Sequence, residues 1–177
     1  VAITAYRCHR YGVTVKQLRP WIVMSATQHS IAHIENVALP LKRYILLDTC
    51  PPEWQHFDLY LFRDDHVTFY AGQSYVAFDR VSSHIRDGFK ARSVVGRFLL
   101  ANWPASMRFT IELWWSQAPR FEACTGDLNA AERLLITEYS PCFNLALNPN
   151  PLPIPSTYAS PSAALRCSRS LTKLKHE

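Results

Sequence analysis

The sequence predicts an α+β domain with a small antiparallel sheet, its elements running β-β-α-α-β-α over residues 57–149. Three observations carry that expectation. Phe57, Leu59 and Leu61 alternate with Asp58, Tyr60 and Phe62, the period of a strand. Phe78, Val81 and Ile85 repeat instead at helical spacing. Asp127, a good N-cap residue, opens a run that Pro141 closes.

The remaining elements follow in order. Arg63-Asp64-Asp65-His66 reads as a polar turn, and residues 67–71 return as the second strand of a hairpin. Gly72-Gln73-Ser74 ends that strand, and a helix over 77–87 follows, with Gly88 as its stop. A second helix is expected over 93–101, burying Val94, Val95, Phe98 and Leu99. Residues 108–115 are rich in β-branched and aromatic side chains and read as the third strand. The last helix runs from Asp127 to about Tyr139. Residues 1–56 form an N-terminal extension of unassigned role, with a short helix over 14–18 and a brief strand over 44–47. Cys50-Pro51-Pro52 marks its boundary, because neither proline donates a backbone hydrogen bond. Residues 150–177 read as a Pro/Ser-rich basic tail, extended or disordered, since prolines alternate from Pro149 to Pro155.

Composition narrows the function classes. The chain carries 177 residues and a net charge of +5, enough for one domain with decorated ends. The charge is uneven. Residues 58–146 hold nine Lys/Arg against ten Asp/Glu, whereas both ends are basic. Within the neutral segment, Arg80, Arg86, Lys90, Arg92 and Arg97 fall in eighteen residues opposed only by Asp87. Such a cluster suits a polyanion, although on charge alone a solvated helix face is the favoured reading. Five scattered cysteines without a C-x-x-C pair indicate neither a zinc module nor a disulfide framework, and point to reduced thiols in a cytoplasmic protein. No apolar run approaches the roughly twenty residues of a membrane helix. No secretory leader is read either, Trp21-Ile22-Val23-Met24 being the longest apolar stretch near the start.

One constellation carries chemistry. The hairpin reads Asp58-Leu59-Tyr60 and then Tyr70-Ala71-Gly72, its tyrosines ten residues apart. Arg80 comes ten residues later and His84 four beyond it, on one helix face. Glu132 lies in the last helix, and Asn144 follows twelve residues on, in Ser140-Pro141-Cys142-Phe143-Asn144. An arginine fork matches a phosphate bidentately, and a carboxylate is a hard ligand for Mg²⁺. In order and spacing these six landmarks resemble the GIY-YIG nuclease family, whose paired Gly-Ile-Tyr and Tyr-Ile-Gly strands name it. The likeness covers about half the chain.

The resemblance implies a metal-dependent endonuclease that hydrolyses DNA phosphodiesters, leaving a 5′-phosphate and a 3′-hydroxyl. It makes Tyr60 the general base or proton relay and Tyr70 its support. Arg80 and His84 complete the catalytic set, and Glu132 holds one Mg²⁺ or Mn²⁺. Gly72 and Asn144 become structural neighbours of the site. Arg86, Lys90, Arg92 and Arg97 are the candidates for nucleic-acid contact. Two departures stand out: Asp58 occupies the place of the family's glycine, and Ala71 that of its isoleucine. A carboxylate at Asp58 motivates an alternative reading, a nucleic-acid-binding module of the same fold with weakened catalysis. The near-neutral core motivates another, a protein-interaction domain. His29 and His33 stand four apart without a third ligand at a motif spacing and read as a surface pair; Trp103, Trp114 and Trp115 read as packing residues.

Overall fold

The computed structural model describes residues 34–162. The chain divides between Ala32 and His33, so all of these residues belong to the second of two units. The helix expected over 14–18, the His29/His33 pair and the basic end of the tail lie outside the described residues.

The architecture is α+β, as expected, but begins earlier. Strand β1 (Asn36–Pro40) runs into a single helical turn, α1 (Leu41–Tyr44). The predicted hairpin is β2 (Leu59–Arg63) and β3 (Thr68–Gln73), followed by α2 (Ala77–Phe89) and α3 (Val94–Ala101). Strand β4 (Thr110–Trp114) and helix α4 (Leu128–Tyr139) complete it. The four strands form one antiparallel sheet in the order β1-β4-β2-β3. Among the described residues, no helix is long and apolar enough to cross a membrane.

Both faces of β2 are buried. Tyr60 and Phe62 join the core on the α2/α3 side with Phe78, Val81 and Phe98. Leu59 and Leu61 join a second core with Ala71, Ala131, Leu135 and Ile136 of α4. The alternation that identified the strand therefore sorts side chains between two cores rather than between core and solvent.

Several expectations need correction. The boundary at Cys50-Pro51-Pro52 does not separate the first residues from the sheet, because β1 pairs with β4 from Asn36↔Trp114 to Pro40↔Thr110. β1 is an edge strand with only Val37 and Leu39 facing the core, too short a pattern to read locally. The strand expected over 44–47 is instead the end of α1: Tyr44 is buried and its hydroxyl reaches Phe78 O and Ser82 Oγ, while Ile45 and Leu46 are exposed. Val94 is 44% exposed, and α3 buries Gly96 in its place. The tail is part of the fold as far as it is described. Tyr158 packs edge-on against Phe69, Phe98 and Phe109, and its hydroxyl donates to Asp64 Oδ2 at 2.7 Å. Asn102 brackets the backbone of Ala159 with both amide atoms, at 2.7 and 3.0 Å.

Gly88 is a packing residue and not a stop. The α2 helix continues through it to Phe89, and here its backbone meets that of α3. A Cβ built on Gly96 would stand 2.6 Å from Gly88 Cα and 2.7 Å from Gly88 N, with neither backbone free to yield. Gly96→Ala is therefore expected to destabilise the fold by about 2–3 kcal/mol, seen as a lower urea midpoint at unchanged slope. An unshifted midpoint would show that the helices separate freely.

Candidate active site

The site forms at the end of β3. As the sheet's edge strand, β3 would expose its outer hydrogen-bonding groups, and the chain after α4 covers part of them. Cys142 and Phe143 donate backbone N–H bonds to Thr68 O and Phe69 O, at 3.2 and 2.9 Å. Asn144 then takes both backbone groups of Ala71, accepting from its N–H at 2.9 Å and donating to its carbonyl at 2.8 Å. A buried amide thus replaces a paired strand residue, a structural role of the kind expected for Asn144. Among the described residues, no further backbone bond is made along this edge past Ala71.

Tyr60 and Tyr70 lie on the α2 face of the hairpin, with ring centroids 6.1 Å apart. Gly72 faces Tyr60 in the ladder. A Cβ there would stand 2.5 Å from Tyr60 Cζ and 2.9 Å from Tyr70 Cε1, so only glycine leaves room for the two rings. From α2, His84 Nε2 meets the Tyr60 hydroxyl at 2.9 Å, and its Nδ1 meets Ser93 Oγ at 2.8 Å. Ser93 caps α3, accepting from Gly96 N–H at 3.0 Å. A continuous chain therefore runs Tyr60–His84–Ser93 into a helix cap.

Beside it opens a pocket of about 220 Å³ whose lining includes Tyr70, Arg80, His84, Asp87, Arg92 and Phe143. The i,i+4 spacing of Arg80 and His84 does place both on one face, as expected. Tyr60 is only 1% exposed and does not line the pocket; the hydroxyl-bearing ring at the opening is Tyr70. Glu132 lies on the other side of the edge strand, where Gln73 Nε2 donates to its Oε2 at 3.1 Å and to Asn129 Oδ1 at 2.6 Å. Its charge is nonetheless felt by Tyr70.

Burial dominates the electrostatics. It pushes the Tyr60 hydroxyl well above its ordinary value, with Tyr70 adding to the rise and Arg80 opposing it. Tyr70 is raised too, by burial and then by Glu132, again against Arg80. His84 is lowered to about 4 by burial and by Arg80, with Asp87 opposing, so it is neutral at pH 7. Burial also raises Glu132, against the Gln73 hydrogen bond and Arg133.

Of the expected nucleic-acid contacts, Arg92 lines the pocket, while Arg86, Lys90 and Arg97 do not. None of Arg80, Arg86, Lys90, Arg92 or Arg97 makes an ion pair; among the described residues those pairs are Arg63–Glu112, Arg120–Glu138 and Arg133–Asp127. The cluster's positive charge is therefore uncompensated by salt bridges. Asp58 is turned away from this chemistry: its carboxylate accepts from Ser116 N–H at 2.8 Å and from Ser116 Oγ–H at 2.6 Å, tying the start of β2 to the end of β4. Trp114 lies under Arg120, 4.6 Å from the guanidinium carbon, and is a packing residue. Cys50, Cys124 and Cys142 are free.

No cluster of three His, Cys, Asp or Glu side chains occurs among the described residues. That excludes nothing for a hard cation that needs one or two carboxylates and retains its waters. Glu132, half-buried with only Oε2 engaged, fits such an ion. Ser93 and Gln73 are the residues of the candidate site that motif spacing missed, since each joins it through another residue, His84 and Glu132. The cap position of Ser93 before an apolar run was the available signal. No family model, curated protein or solved structure matches the chain.

Proposed function

We propose that this domain is a GIY-YIG-type endonuclease that hydrolyses DNA phosphodiesters with one divalent cation, Mg²⁺ or Mn²⁺, held by Glu132. The observation that carries the reading is the meeting of Tyr70, Arg80 and His84, from two elements, at one pocket, with the buried Tyr60 behind it in the Tyr60–His84–Ser93 chain. The engagement of the Asp58 carboxylate by Ser116 supports this reading over that of a catalytically weakened module.

In this mechanism Arg80 binds the non-bridging oxygens of the scissile phosphate and stabilises the charge that develops there. The cation, when bound at Glu132, supplies Lewis acidity to the phosphate oxygens. Tyr70, lining the pocket, orients the attacking water and relays its proton through its neutral hydroxyl to solvent in the open pocket, from which the departing 3′-oxygen takes up a proton, while Tyr60 behind it supports the Tyr70 ring. This exchanges the roles that the resemblance assigned to the two tyrosines. With its hydrogen on Nδ1, His84 donates to Ser93 Oγ and presents the Nε2 lone pair to the Tyr60 hydroxyl. A histidine titrating near 4 stays neutral and takes up no proton; it orients the Tyr60 hydroxyl.

Supercoiled plasmid and branched DNA incubated with the protein and Mg²⁺ or Mn²⁺ are expected to be nicked, with EDTA stopping the reaction. The activity should follow the protein through gel filtration. No nicking with either metal would overturn the proposal, and DNA binding that survives in EDTA would then identify a binding module.

A further inference from the structure

Beyond Glu132, around the open end of β3, lies a second cavity of about 460 Å³, lined by Gln73, Ser74, Tyr75, Leu128 and Asn129. Its dominant feature is Tyr75, 94% exposed, which presents a bare aromatic face to solvent. The polar groups beside it are oriented by their own network. Gln73 must turn Nε2 toward the Glu132 carboxylate, and Asn129 must then turn Oδ1 toward that same Nε2. Two amide atoms are left without a partner among the described residues: Gln73 Oε1, an acceptor, and Asn129 Nδ2, a donor.

No cation lines this cavity, so it is unsuited to a phosphate. An aromatic platform flanked by one donor and one acceptor matches a neutral heteroaromatic ring with a hydrogen-bonding edge. We infer that the cavity seats one unstacked nucleobase of the bound strand, stacked on Tyr75, with its edge read by Gln73 Oε1 and Asn129 Nδ2. The inference rests on the nuclease reading for the presence of that strand. It further implies that Gln73 couples base occupancy to Glu132, since one amide nitrogen touches both sides.

The test uses single-stranded oligonucleotides carrying 2-aminopurine at each position in turn, titrated in EDTA so that no cleavage intervenes. One position is expected to show fluorescence quenching on binding. Tyr75→Ala should abolish that quenching and weaken binding about tenfold, whereas Tyr75→Phe should retain both. A side chain this exposed is removed without unfolding the domain, which a thermal melt verifies. If the native protein cleaves DNA while Tyr75→Ala quenches and binds as the native does, the base site is refuted and the nuclease stands. Tyr75-dependent quenching in a protein that never cleaves refutes the nuclease and leaves the base site. Absence of oligonucleotide binding by the native protein refutes the base site, and the nuclease reading is then decided by the plasmid assay alone.

Discussion

Arg80→Ala is expected to lower the rate of DNA cleavage by about 10²–10³-fold, the usual cost of removing one group that stabilises developing charge. Arg80 is exposed on α2, lines the pocket with Tyr70 and His84, and has no acidic partner. Its charge is therefore not neutralised by a carboxylate among the described residues and is available to a phosphate. For that reason the variant should melt within the small range typical of surface substitutions. Arg80→Lys should recover only a small part of the rate, because an ammonium cannot bridge two phosphate oxygens as a planar fork does. A second signature follows from electrostatics. Arg80 helps to hold His84 down near 4, so its removal lets His84 titrate at higher pH. The acid limb of the pH–rate profile should then move upward in the residual activity of the variant. Cleavage by Arg80→Ala at the native rate would remove the phosphate-binding role.

The elements that were legible from sequence are those whose pattern is local. The β2–β3 hairpin, α2, α3, β4 and α4 each carry a period, a cap or a terminator within their own span, and each appears within a few residues of expectation. The parts that were not legible owe their order to distant partners. β1 offers two apolar side chains, and its place becomes evident only beside β4. Residues 150–158 look like an extended tail because of their prolines, yet Tyr158 fills a gap among Phe69, Phe98 and Phe109 that no local pattern announces. Gly88 illustrates the same limit: a glycine after a helical run signals a stop, unless a second helix must approach there, and Gly96 is that approach.

The site divides in the same way. Tyr60, Tyr70, Arg80 and His84 were readable as an ordered set, because a hairpin followed by a helix places such spacings predictably. Which tyrosine faces the pocket was not. It depends on strand position: Tyr60, on interior strand β2, is covered in the α2/α3-side core, whereas Tyr70, on edge strand β3, is half-buried and lines the pocket. Asp58 shows how a sequence departure acquires its meaning. Its carboxylate motivates the reading of a weakened module, while the partner that holds it, Ser116, lies 58 residues away and carries no local signal.

Glu132→Gln is expected to reduce Mg²⁺-dependent cleavage by at least about 10³-fold, since it removes the charge that holds the cation supplying several kcal/mol of transition-state stabilisation. The isostere separates this role from a structural one. A glutamine carbonyl can still accept from Gln73 Nε2, so the network with Asn129, the melting temperature and DNA binding in EDTA should persist. Binding in EDTA should even tighten slightly, because a negative charge beside the strand is lost. The native carboxylate brings its own pH signature. Burial raises its titration above the ordinary glutamate value, so protons compete with the cation as the medium becomes acidic. The Mg²⁺ concentration needed for half-maximal cleavage should therefore rise as pH falls toward that raised value, and excess Mn²⁺ should offset the loss in the native protein but not in Glu132→Gln. If the variant cleaves with an unchanged metal requirement, Glu132 does not hold the cation, and its tie to Gln73 belongs to the base-binding side of the edge strand alone.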